Sequence, residues 1–167
     1  MLPLIRRVTL GVGLALVLSL VTLSAQGTNP LVGTWKVNVA ASTYSPGPPP
    51  KSLTRTVEDW GGGLFVSTSK GVSDKGDPTW AHYAFRYDGK DYPYATSTLP
   101  ATSPAFTTVA VKRVDANTFE ITAKVDGKVF RTNSYTFSND GKTLTQRQKG
   151  TDAQGKSTNN VIVFEKQ

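Results

Sequence analysis

Apolar and polar positions alternate along most of the chain after residue 30. From Leu31 to Val39 every second residue is apolar or glycine, whereas three of the four positions between them are polar. A period of two predicts a β-strand with one buried face. Similar short runs follow at 52–59, 64–70, 79–87, 106–113, 118–125, 129–137, 143–149 and 159–166. No stretch here has an apolar period of 3.6 residues long enough for a substantial helix, so the pattern predicts an all-β domain.

Turn signals separate these runs and indicate how the strands connect. Asp-Gly-Lys occurs three times, starting at Asp88, Asp126 and Asp140. Asp-Gly fits a type I′ hairpin turn, in which both central residues have positive φ. Consecutive hairpins predict an antiparallel up-and-down β-barrel of about eight to ten strands. The prolines of 45–50 predict an extended loop, and we expect a short edge strand plus a loop over 92–104.

The alternation also predicts which side chains point into the barrel. The apolar positions expected inside are Leu53, Val57, Tyr83, Phe85, Tyr87, Phe119, Ile121, Val125, Val129, Tyr135 and Phe137. Polar residues share these faces, and an inward arginine would be paired, hydrated or in contact with a ligand, because an unpaired buried charge is costly. The candidate ligand-binding residues are Arg55, Tyr83, Tyr87, Arg131, Tyr135, Gln146 and Gln148. The alternative is that Arg55 and Arg131 reach solvent at strand ends.

The first residues are predicted to be a cleaved secretory signal peptide, residues 1–25. Arg6 and Arg7 form the positive region, Val8 to Leu23 is apolar, and small residues suit cleavage near 25–27. The mature domain is then residues 28–167, in the periplasm or secreted. The adjacent arginines leave both the general secretory route and twin-arginine export open. We expect contact with the membrane only through this signal.

Charge and composition exclude several classes of function. The net charge of +7 falls to +5 without Arg6 and Arg7, and the remaining cations are scattered along the chain, which argues against nucleic-acid binding. The absence of cysteine excludes disulfides and thiolate chemistry. His82 is the single histidine, so a typical zinc site is not expected. We expect no metal, no cofactor, a monomer, and no enzymatic activity, because no nucleophile and base stand together.

One nucleotide-binding pattern is present but is interpreted differently. Gly150 to Ser157 satisfies the spacing of a phosphate-binding loop. Such a loop needs a following helix whose N-terminus faces the phosphates. Strand-like residues 161–164 follow instead, so the segment is predicted to be a hairpin turn and no nucleotide is expected.

Two ends of the mature chain resemble the calycin superfamily, the lipocalins and fatty-acid-binding proteins. Gly33 to Trp35 resembles the Gly-x-Trp of the first barrel strand, and Val163 to Lys166 resembles the Val-Tyr-Glu-Lys that closes fatty-acid-binding barrels. The chain also resembles small exported lipocalin-like proteins of bacteria. The resemblance implies structural roles for Gly33, Trp35 and Phe164, with Trp35 closing one end of the barrel under a basic side chain, for which Arg147, Lys149 and Lys166 are candidates.

The resemblance implies binding of a small hydrophobic or amphipathic ligand inside the barrel. Fatty-acid-binding proteins usually hold the carboxylate with Arg-x-Tyr in the last strand. The matching positions here are Ile162 and Phe164, which favours an apolar or neutral ligand, or none. The proline loop replaces the usual helix pair, so no helical lid is expected. The alternative function is a structural or interaction barrel with a filled core and no ligand.

Overall fold

The computed structural model describes residues 29–97, 107–151 and 157–167, which form ten antiparallel strands and no helix. The strands are β1 Gly33–Thr43, β2 Ser52–Asp59, β3 Phe65–Val72, β4 Pro78–Phe85, β5 Asp88–Thr96, β6 Thr108–Arg113, β7 Thr118–Val125, β8 Lys128–Phe137, β9 Thr143–Thr151 and β10 Ser157–Lys166. Each strand pairs with the next in sequence, and β1 also pairs with β10, so the sheet closes into an up-and-down barrel. The predicted fold class is confirmed. The signal peptide predicted at 1–25 lies outside the described residues.

One strand differs from its prediction. The segment at Tyr92–Tyr94 was expected to form a short edge strand, but it belongs to the nine-residue β5, which pairs with β4 and with β6. Closure of the barrel leaves no edge. Pro93 cannot donate a backbone hydrogen bond. The register shift between Asp88 and Asp91 further interrupts the ladder with β6. These local features made an internal strand look like an edge strand.

The three Asp-Gly turns are not of one kind. Asp126 and Gly127 both have positive φ, 49° and 75°, as the predicted type I′ turn requires. In the other two turns Gly89 and Gly141 have positive φ, but the aspartates before them do not. The amide of Gly141 donates to the Ser138 carbonyl, which indicates a longer hairpin loop that ends in a left-handed glycine. The meander was therefore predicted correctly, although the type I′ turn is wrong for two of the three hairpins.

The barrel is closed at the end where β1 begins. Trp35 is fully buried there, and its indole nitrogen donates to the Leu31 carbonyl at 2.8 Å. The rings of Phe137 and Phe119 continue the cluster, with centroid distances of 5.9 Å from Trp35 to Phe137 and 5.8 Å from Phe137 to Phe119. Phe164 and Leu144 are also fully buried. This end is a packed apolar plug, as the resemblance implied for Trp35 and Phe164.

The basic residue above the indole is Lys166. Its ammonium lies 5.2 Å from the Trp35 ring and donates to the Pro30 carbonyl at 3.0 Å. Gly33 makes this crossing possible, because it has φ of 125° and a Cβ there would meet the Lys166 side chain at 3.2 Å. The other two candidates, Arg147 and Lys149, are exposed on β9. The last strand therefore adds a cation–π contact to the ladder that pairs it with the first strand.

The prediction of inward-facing residues is wrong at one position, near the start of β8. Val129 was expected inside but is 63% exposed. The register between β7 and β8 shifts between Ala123 and Lys124, so Lys124 pairs with Val129 and Ala123 with Arg131. A bulge moves the side chains on one side of it to the opposite face. Arg131, on the other side of the bulge, pairs with the buried Ala123 and borders the interior described below.

We predict that Trp35→Ala lowers the free energy of unfolding by about 3–5 kcal/mol, because it removes the centre of the plug and leaves a cavity. Trp60→Ala is the matched control. Trp60 is 62% exposed on the loop after β2, so its loss should cost about 0.5 kcal/mol or less. Urea unfolding of both variants measures the difference. Equal midpoints for Trp35→Ala and the wild type would show that the indole is not the plug.

Candidate binding site

Two adjoining chambers occupy the barrel interior on the side of the plug away from Leu31. The inner chamber has a volume of about 110 Å³ and borders Tyr83, Tyr135, Val109 and Ile121. The outer chamber has a volume of about 200 Å³ and borders Leu53, Thr79, Thr96 and Gln148, which lie near the open ends of their strands. Both chambers share six lining residues: Arg55, Ser69, Ala81, Tyr94, Arg131 and Gln146. The interior is thus filled at one end and hollow at the other.

Strand register brings these residues together. Arg55 on β2 pairs with Ser69 on β3, which pairs with Ala81 on β4, which pairs with Thr96 on β5. Residues directly opposite each other in an antiparallel ladder point to the same face. The row therefore presents one cation, the hydroxyl-bearing side chains of Ser69 and Thr96, and the methyl group of Ala81 side by side to the chambers.

A second row crosses the other wall. Tyr135 on β8 pairs with Gln146 on β9, which pairs with Ile162 on β10. Asn133 is buried beside this row, and its side-chain oxygen accepts a hydrogen bond of 3.3 Å from the Gln146 amide. The wall therefore offers amide groups and a phenol within an apolar frame, which is the composition typical of small-molecule pockets.

Arg55 is the central charge of the chambers. Its guanidinium lies 5.2 Å from the ring centroids of both Tyr135 and Phe164, and its Nε donates to Ser69 Oγ at 3.3 Å. Burial favours the neutral form of Arg55. However, the phenol oxygens of Tyr135, Tyr83 and Tyr94 outweigh that effect, so its pKa is raised above the ordinary arginine value. Arg55 is a permanent cation held between aromatic faces.

The tyrosines around Arg55 are strongly shielded from water. Tyr83 and Tyr94 stack with a centroid distance of 5.5 Å. Burial raises the pKa of both phenols, although the positive charge of Arg55 opposes the shift. The two hydroxyls therefore stay protonated through the physiological range.

Arg131 adds a second guanidinium to the walls of both chambers. Burial lowers its pKa, against the opposing influence of Tyr94 and Tyr135. Its guanidinium also lies 5.6 Å from the Phe130 ring. None of the described residues that line the two chambers is an aspartate or a glutamate. The described lining therefore carries two guanidinium groups and no carboxylate.

Six of the seven candidate ligand-binding residues line the chambers. Arg55, Arg131 and Gln146 border both, Tyr83 and Tyr135 border the inner one, and Gln148 borders the outer one. Tyr87 borders neither chamber. Its ring packs against Phe65 and Phe119, on the plug side of the chambers. The hydroxyl of Tyr87 accepts a hydrogen bond from the Asn29 amide at 3.3 Å, and the Arg113 guanidinium lies over its ring.

Sequence reasoning missed several lining residues. Tyr94 was placed at an edge. Ser69 lies on β3, where no inward residue was assigned, and Ala81 and Trp80 lie on β4, where only Tyr83 was a candidate. Trp80 is 45% exposed and borders the outer chamber. The period-two alternation of β3 and β4 places Ser69 and Ala81 on the inward face. A serine and an alanine do not make that face apolar enough to be recognised from the sequence. They line the chambers because they leave space.

His82 and the described ends of the Gly150–Ser157 motif are not among the described residues that line the chambers. His82 is exposed on β4, and its ring nitrogen is 2.9 Å from Thr68 Oγ1. Gly150 pairs with Thr158 and Thr151 pairs with Ser157, so the described ends of the motif are parts of β9 and β10. No cluster of three metal-ligating side chains occurs in the described ranges. Within the same ranges, no helix is long and apolar enough to cross a bilayer.

The comparisons with known proteins support the fold alone. No protein-family model matches the chain, and no curated protein matches it at a significant level. Among solved structures, Rv2717c from M. tuberculosis matches with a TM-score of 0.53 and 13% identity, covering 83% of this chain and 93% of that chain. A redesigned β-barrel matches with a TM-score of 0.45 and 14% identity, covering 83% of this chain and 92% of that one.

The buried tyrosines predict a loss of stability at alkaline pH. An unfolded tyrosine ionises near pH 10, whereas the folded protein holds the proton of Tyr83 more tightly. The free energy of unfolding therefore decreases as the pH rises above about 10, because the unfolded state loses its proton first. Urea unfolding between about pH 9 and pH 11 should show a smaller decrease for Tyr83→Phe than for the wild type. Identical decreases would contradict the burial of this phenol.

Proposed function

We propose that this protein is an exported carrier that binds a small amphipathic molecule inside its barrel. The observation that carries the proposal is the pair of connected chambers above a filled plug. Their combined space reaches the lower end of the about 300–1,000 Å³ typical of small-molecule pockets. Apolar walls at Val109 and Ile121 and a few convergent polar groups support the same function.

The polar groups suit an amphipathic ligand better than a purely apolar one. Arg55, Asn133 and Gln146 would have to give up hydration to a hydrocarbon, which costs free energy unless new hydrogen bonds replace the water. Sequence alone favoured an apolar or neutral ligand, because Ile162 and Phe164 replace the charged pair of the last strand. The cation beside the chambers comes instead from β2, where Arg55 lies over Phe164.

The proposed export rests on the N-terminal sequence. Arg6 and Arg7 precede the apolar segment Val8 to Leu23, and the small residues after it suit cleavage near 25–27. We place the mature protein in the periplasm or outside the cell on this basis. Kinship with the calycin superfamily is also our proposal, supported by Gly33, Trp35 and the position of Lys166 across the indole.

Binding without turnover is the role we assign, because the sequence pairs no nucleophile with a base. The competing function is a filled structural barrel that binds partners through its outer surface. Both functions are compatible with the packed plug. Only the chambers favour ligand binding over a filled structural barrel.

A cavity-filling variant tests the proposal. Ala81 borders both chambers, so Ala81→Phe should fill the shared space and abolish occupancy. Ala84→Phe is the matched control, because Ala84 lies on the same strand with its side chain on the opposite face. Native mass spectrometry of protein purified from its own host should show a bound small molecule in the wild type and Ala84→Phe, and none in Ala81→Phe. A wild-type protein that carries no molecule would favour the structural barrel.

A further inference from the structure

We infer that the ligand is a compact organic acid with an aromatic or cyclic body, whose carboxylate pairs with Arg55 between the two chambers. The inference rests on the proposed binding function and specifies the chemical class of the ligand. It follows from three features of the interior: the charge of its described walls, the donors around Arg55, and the shape of the space.

The first feature is charge. Arg55 borders both chambers, and its described contacts are hydrogen bonds with the Ser69 and Tyr135 hydroxyls and the faces of the Tyr135 and Phe164 rings. Aromatic faces offset part of the desolvation cost of a guanidinium but leave its charge in place. The chambers' described lining residues include no carboxylate. A ligand carboxylate would therefore supply the opposite charge where the cost of an unpaired cation is greatest.

The second feature is hydrogen bonding. A guanidinium carries five N–H donors, more than its two described partners, the Ser69 and Tyr135 hydroxyls, can accept. The amides of Asn133 and Gln146 line the inner chamber near Arg55 and provide further donors to an anion. Tyr83 and Tyr94 keep their protons because burial raises their pKa, so their hydroxyls can also donate. The site is therefore rich in donors, as anion recognition requires.

The third feature is shape. The plug side of Arg55 is occupied by Phe164, Leu144 and Trp35, all fully buried, so the ligand cannot extend past the guanidinium. The remaining space is bounded by Tyr135, by the stacked rings of Tyr83 and Tyr94, and by Trp80 at the outer chamber. A compact ring can pack against these aromatic faces. A long acyl chain with its carboxylate at Arg55 would need more space than the outer chamber of about 200 Å³ provides.

Isothermal titration calorimetry with four small probes tests this ligand class. The protein is first freed of any co-purified molecule. The probes are 3-phenylpropionate, its uncharged isostere 3-phenylpropionamide, cyclohexanecarboxylate and hexadecanoate. We expect both compact acids to bind at least about tenfold more tightly than the amide, because a charge-assisted contact is worth more than about 1.4 kcal/mol. We also expect them to bind more tightly than hexadecanoate. Equal affinity for acid and amide, or tighter binding of hexadecanoate, would overturn the inference.

Substitutions at Arg55 provide the second arm of the test. Arg55→Met should weaken 3-phenylpropionate binding by at least about tenfold and leave the weak binding of the amide unchanged, while Arg55→Lys should lie between. Arg147→Met is the matched control, because Arg147 is an exposed cation on β9, and it should bind like the wild type. Thermal unfolding verifies that each variant is folded. Equal losses for acid and amide in a folded Arg55→Met would also overturn the inference.

The outcomes separate the ligand class from the binding function. If the host-purified protein carries a neutral molecule and no acid probe binds, the ligand class is wrong but the proposed function stands. If the host-purified protein carries nothing and none of the four probes binds, both fail. A carried molecule that ionises as an organic acid, together with the loss in Arg55→Met, supports both.

Discussion

The indole of Trp35 is the contact on which the rest of the barrel depends. Trp35 lies on the first strand, where its backbone pairs with Arg55 of β2 on one side and with Lys166 of β10 on the other. It therefore lies where the barrel closes. Lys166 covers the indole from the closed end, and Gly33 leaves the space for that side chain. One buried ring thus joins the first and last strands and separates the exterior from the chambers.

The same contact determines where the barrel is filled. Phe119, Phe137 and Phe164 pack on the plug side, and their bulk leaves the open half to smaller and more polar side chains. Arg55 lies at the boundary between these halves, with Phe164 under its guanidinium. A cation at that level is tolerated because aromatic faces surround it and the chambers give it access to water or a ligand. Arg55 therefore contacts both the plug, which stabilises the fold, and the chambers, in which we propose that the ligand binds.

Much of the site was foreseeable from alternation. Arg55, Tyr83, Tyr135 and Gln146 share faces with apolar neighbours, and the closed sheet places all four inside, whereas the sequence left open whether Arg55 reaches solvent. Tyr87 follows the same alternation but lies too close to the plug, because alternation reports the face of a strand and says nothing of depth along the barrel axis. Depth depends on strand tilt and register, which local sequence does not encode.

The sequence by itself determined the class of fold and the positions of the turns between strands. Short-range physics is sufficient for these features, because strand pattern and turn chemistry depend on neighbours within a few positions. Only the tertiary structure decided that Lys166 covers Trp35, that Val129 faces outward and that Ser69 stands beside Arg55. Each of these depends on register between strands, and register is set when the whole sheet closes.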